Sequence, residues 1–204
     1  MEEVKTSEQY GCTIVEHIDG KRKPLCVLGV LLTPRGIEIR DEMISVLSPY
    51  YHVYEVQQQE PGVLFEYPAL RFMQELCLYQ HQPCLYLHTK GAASNGSMQS
   101  RVRKMWYHEF LHCIDWYMQQ TDTTYPVVAC PFTGTGRQTW FNGFYANEYA
   151  MASVNIEPNA DRYHFESLFR DYHHVRIEAR IDNDVSERKI PDMFHKVRTI
   201  SQSV

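Results

Sequence analysis

The chain has no long hydrophobic run. The longest strongly apolar stretch is Leu25 to Leu32, far short of the roughly 20 residues that span a bilayer. No excess of positive charge is present either. The 20 Lys and Arg stand against 25 Asp and Glu, for a formal charge of −5, which gives no general pull toward nucleic acid or anionic membrane. Paired cysteines are missing. Cys12, Cys26, Cys77, Cys84, Cys113 and Cys130 stand singly among mostly apolar neighbours, without CxxC or zinc-ribbon spacing. They read as reduced core residues of a cytoplasmic protein. The opening MEEVKTSEQY is too polar for a signal peptide. No internal repeat and no linker divides the chain.

What is present describes a folded α/β domain. Of 204 residues, 44% are hydrophobic and 13% aromatic, enough for a sizeable core. LCVLGVLLT, between Pro24 and Pro34, reads as a buried strand. IEIRDEMISVL has helical spacing, YYHVYEVQ alternates as a strand, YPALRFMQELCLYQ is a helix with Pro68 in its first turn, and PCLYLHT is a third strand. This β-α-β-α-β order favours a parallel sheet covered by helices. RVRKMWYHEFLHCIDWYMQQ reads as one long helix, with Val102, Met105, Trp106, Phe110, Cys113, Ile114 and Tyr117 as its apolar stripe. YPVVACPF is a strand, DRYHFESLFRDYHH a helix, and VRIEARI a strand. One domain is expected over residues 1–204, with its core at about 23–175 and a polar tail from about 182.

Three stretches carry candidate chemistry. His108-Glu109-Phe110-Leu111-His112 matches H-E-x-x-H on a helix. Two histidines at i and i+4 can share a zinc ion while the glutamate activates water; the competing reading is a solvated polar face. Glu148 is the third ligand on offer, and it lacks a recognisable frame. Asp182-Asn183-Asp184 and Gly134-Thr135-Gly136-Arg137 read more simply as turn and loop. His88-Thr89-Lys90-Gly91 is better placed, because ligands in open parallel sheets bind beyond the carboxyl ends of strands. Lys90 can neutralise a phosphate there, and Gly91 lets the backbone come close.

The segments FEYPAL (65–70), LYLHTKG (85–91), Trp106, FNGFYA (141–146) and RYHFESLF (162–169) occur in a telling order. Together they resemble a family of bacterial glycosyltransferase-like proteins of the GT-A, nucleotide-diphospho-sugar transferase type. The resemblance covers about residues 25–174, and LYLHTKG is its most specific piece. It implies a GT-A-like, Rossmann-type three-layer α/β fold with a mostly parallel central sheet. It implies a nucleotide-sugar donor and a carbohydrate acceptor as partners, with no nucleic acid and no transmembrane segment. Carried over by position, His88, Thr89 and Lys90 stand where other GT-A enzymes keep an Asp-x-Asp metal motif. Asn142 and Gly143 match a Gly-Asn segment in reversed order, Tyr145 is an aromatic for stacking on substrate, and Glu166 is the candidate base on the acceptor side. No cofactor is implied with certainty, and a divalent metal stays open. The alternatives are a zinc metallopeptidase using His108, Glu109 and His112, or a carbohydrate or sugar-nucleotide binder that keeps the fold without turnover.

Overall fold

The computed structural model describes residues 3–18, 20–59, 66–89, 97–131, 133–134, 138–139, 143–159, 164–180 and 183–185. Its central unit is the expected alternation. β3 (Leu25–Leu31) is buried from Leu25 through Val30 and leads to α1 (Pro34–Leu47). Thr33 caps α1, its hydroxyl accepting from the Gly36 amide at 3.0 Å, and Pro34 sits where its missing N–H costs nothing. β4 (His52–Gln58), α2 (Tyr67–Gln80) and β5 (Cys84–His88) follow. α2 ends at His81 with φ 51°, a left-handed cap.

Ahead of this unit lies a hairpin that the periodicity of the sequence does not announce. β1 (Glu3–Gln9) and β2 (Cys12–Ile18) are joined by Tyr10 and Gly11, with φ of 55° and 71°. Two positive φ values in a two-residue loop match the twist of an antiparallel pair. β1 is exposed over its described side chains, so it carries no apolar alternation to read.

Beyond β5 the expected single helix is two. α3 (Ser97–His112) stops at Cys113, whose φ of −115° and ψ of 19° leave the helical region, and α4 (Ile114–Thr121) restarts. The break aims α4 so that Tyr117 stacks on Tyr145, ring centroids 5.4 Å apart. β6 (Val127–Cys130), β9 (Phe144–Ala146), α5 (Glu148–Ser153) and β10 (Arg176–Ala179) complete the main framework. β7 (Thr133–Gly134), β8 (Gln138–Thr139) and β11 (Asn183–Val185) form a small second sheet. Asn183 and Asp184, read from sequence as part of a turn, therefore lie in a strand; Asp182 lies outside the described residues. The helix expected over 161–174 is, among the described residues, a 3-10 turn at Phe165–Ser167 followed by turns.

The main sheet runs β1-β2-β4-β3-β5-β9-β6-β10. It is mixed, not mostly parallel. β4·β3, β3·β5 and β6·β10 are parallel, while β1·β2, β2·β4, β5·β9 and β9·β6 are antiparallel. Parallel neighbours need a long crossover between them. β3, α1, β4, α2 and β5 supply such crossovers; the two-residue loop between β1 and β2 does not. Helices cover both faces. Leu25, Val27, Tyr86 and Phe144 pack under α2 and α5. Cys26, Leu28, Leu85 and Tyr145 pack under α1, α3 and α4. The six cysteines are free thiols, five of them buried, and burial pushes the Cys26, Cys84 and Cys113 thiols up in pKa, away from reactivity. No described helix is long and apolar enough to cross a membrane.

α1 lies so close to the end of β3 that a Cβ on Gly36 would stand 1.8 Å from the Leu31 carbonyl oxygen. Backbone cannot yield as a flexible side chain does. Gly36→Ala should lower the stability measured by urea denaturation by about 1–3 kcal/mol; an unchanged midpoint would contradict this packing.

Candidate functional site

From β3 the chain passes through α1 to β4 on one side; from β4 it returns through α2 to β5 on the other side of β3. The carboxyl ends of β3 and β5 thus flank the point where the strand order reverses, the crevice in which open α/β sheets bind ligands. Those two ends are fastened together. The Thr89 amide donates to the Gly29 carbonyl at 2.9 Å, and Thr89 Oγ1 accepts from the Leu31 amide at 3.1 Å. Thr89, expected to bind substrate, is 5% exposed and spends its hydroxyl on this clamp.

His88 is half-buried at the exit of β5. Its ring lies 6.2 Å from that of Tyr86 and 5.5 Å from that of Trp106, meeting Trp106 edge-on at 76°. Gly143, just before β9, rests on the same indole; a Cβ there would come within 2.3 Å of Trp106 Nε1. The glycine expected to touch substrate is therefore required first by its contact with Trp106. On the α2 side, Tyr86 is fully buried beside Gly29 and Ala69. Burial and then the nearby Glu66 carboxylate raise its pKa well above the ordinary value, so the hydroxyl keeps its proton.

Tyr145 is not available for stacking on a ligand. It is fully buried, bonded hydroxyl to hydroxyl with Tyr51 at 2.5 Å and packed between Tyr117 and Phe110. Its position at the centre of β9 turns it into the helix-covered core. Lys90 and Asn142 lie outside the described residues, as do Gly91, Trp140 and Phe141. Glu166 falls in the 3-10 turn. Its neighbours Phe165 and Phe169 are buried, and Phe169 meets Phe144 at 5.4 Å and 89°.

The H-E-x-x-H segment resolves differently. His108 and His112 are neighbours, with ring centroids 5.4 Å apart, but no group of three or more metal-ligating side chains occurs among the described residues. Glu109 is 1% exposed and held in a two-pronged pair by Arg180, at 2.6 and 3.1 Å. Tyr117 also donates to it at 3.1 Å. The carboxylate that the peptidase reading assigns to water is committed to a guanidinium instead. Glu148, the offered third ligand, faces His81 at 2.7 Å. Arg103 is 3% exposed and 3.8 Å from Glu42. The Glu109–Arg180 pair spans 71 positions, and nothing in the local pattern links them.

No protein-family model matches the chain, and no curated protein is significantly similar to it. A solved structure, the thioesterase domain from the curacin biosynthetic pathway, aligns over 100% of both chains at 10% identity with a TM-score of 0.29. That score is too low to carry an inference about fold or activity.

Glu109→Ala would leave the Arg180 guanidinium without its partner. Because Arg180 keeps 30% of its side chain exposed, the loss falls below that of a fully buried pair, at about 2 kcal/mol. Urea denaturation should show it; full retention of stability would mean that the pair holds nothing in place.

Proposed function

We propose that the chain is a GT-A-like glycosyltransferase domain. It binds a nucleotide-diphosphate sugar beyond the carboxyl ends of β3 and β5 and passes the sugar to a polysaccharide or glycoconjugate acceptor. The observation that carries this reading is a convergence. Separate segments of the resemblance, distant in sequence, gather around the end of β5. Trp106 stands at His88 with Gly143 on its indole, Ala69 and Glu66 stand at Tyr86, and Phe169 reaches Tyr86 through Phe144. The gathering point is also the switch point at which nucleotides bind in open α/β sheets.

Transfer from a nucleotide diphosphate requires stabilising the departing diphosphate, deprotonating the acceptor hydroxyl and excluding water. In this reading Lys90 supplies positive charge to the diphosphate. His88 emerges beside it, held against Trp106. Glu166 takes the acceptor proton. A basic triplet where an Asp-x-Asp would stand favours charge neutralisation by the chain's own cation, so donor binding is expected to survive chelation. Thr89 and Tyr145 serve the scaffold that carries these groups.

Thermal shift against uridine, guanosine, thymidine and cytidine diphospho-sugars tests the reading. A donor at a hundredfold over its Kd adds about 2.7 kcal/mol, or roughly 5–10 °C in Tm for a chain of this size. The shift should persist in EDTA and disappear in Lys90→Ala. If no nucleotide stabilises the protein, the transferase reading fails; binding without transfer or hydrolysis would mark a binder of the same fold. Metal analysis tests the peptidase alternative. One tightly held zinc, lost in His108→Ala, would replace the transferase reading with that one.

A further inference from the structure

His108 and His112 bracket the last turn of α3, with their ring centroids 5.4 Å apart. His108 is half-buried and His112 is exposed. His17, His52 and His81 each face a carboxylate, from Glu55, Glu16 and Glu148. His108 and His112 face none, and among the described residues no hydrogen bond or ion pair occupies either ring. Their planes meet at 47°, neither stacked nor edge-on, so aromatic attraction does not account for the pair. At about 100° per residue, His108 is turned roughly 160° from Trp106 around the helix. The pair therefore lies away from the switch point between β3 and β5.

Two neutral imidazoles one helical turn apart offer two nitrogens to one ion. With one nitrogen of each ring turned to it, an ion about 2.1 Å from both nitrogens lies roughly 3.2 Å from each ring centre. Rings 5.4 Å apart then subtend about 110° at the ion, close to a tetrahedral angle. The C-terminal end of a helix also favours positive charge, and His112 is the last residue of α3. We propose that His108 and His112 form a two-nitrogen surface site for a late first-row divalent cation, nickel, copper or zinc, with water in its remaining positions. Magnesium and calcium, which take oxygen ligands, do not suit it. Glu109 is held by Arg180 and supplies neither a ligand nor a base, so the site binds a metal without the equipment of a peptidase. Lys104, one turn before His108, repels a cation and keeps the affinity modest. The site stands independently of the transferase reading.

Isothermal titration of the full chain with zinc chloride and nickel chloride tests the site, with magnesium chloride as the control. Four-ligand structural sites hold zinc far more tightly. With half the ligands, one ion per chain is expected at a Kd of about 1–100 µM. His108→Gln and His112→Gln should each weaken both metals at least about tenfold, and each variant should melt with wild type when no metal is added. Saturating zinc should raise the Tm of wild type and leave that of either variant unmoved. Magnesium should give no binding heat. Equal zinc binding by wild type and both variants would put the ion on other histidines and overturn the site. So would loss in only one variant, or no binding by wild type up to millimolar zinc. Nanomolar binding lost in both variants would require a third protein ligand, and the two-nitrogen site would give way to the peptidase centre.

Discussion

A single threonine hydroxyl holds together the two strand ends on which the rest of the site is built. By accepting from the Leu31 amide while its own amide reaches Gly29, Thr89 keeps the exit of β5 against the exit of β3. α1 begins from the Leu31 side of that clamp, and its first turn has only a glycine's room to pass. His88, one residue earlier, receives a fixed position in turn. Trp106 can then stand edge-on to it, and Gly143 can lie on the indole. The clamp is built from backbone and one short side chain, so its geometry does not depend on long side chains finding a rotamer.

Much of this was legible in the sequence because β3, α1, β4, α2 and β5 obey simple periodicities. A run buried on both faces, a proline at a helix start and a strand rich in β-branched and aromatic residues each left a local mark. What the sequence hid were features set at a distance. The β1 strand is exposed and polar, so nothing in its own residues demands a sheet. The helix break at Cys113 interrupts an apolar stripe that continues unbroken through it, and it answers to Tyr145 on a strand far along the chain. The reversed β9 made a mixed sheet from a pattern that suggested a parallel one.

The candidate site divides along the same line. LYLHTKG marked the end of β5 beside β3, because the exit of a buried strand is a local feature. The roles within it were less legible. Thr89 and Gly143 answer to packing partners, and Tyr145 belongs to the core, since inward or outward facing depends on register with β5 and β6. H-E-x-x-H is the sharpest case. Its spacing is that of a zinc helix, yet a remote arginine and a tyrosine on the next helix take up its glutamate. Spacing along a helix says which side chains share a face; it does not say what waits opposite.

The rest of Gly143 upon Trp106 has a mechanical consequence. The indole lies between His88 at the strand end and Gly143 at the entry to β9, and on the Gly143 side there is no room for even a Cβ. A larger residue at Gly143 would therefore have to displace the Trp106 indole, and α3 with it. Trp106 thereby joins α3, the exit of β5 and the entry to β9 in one set of contacts.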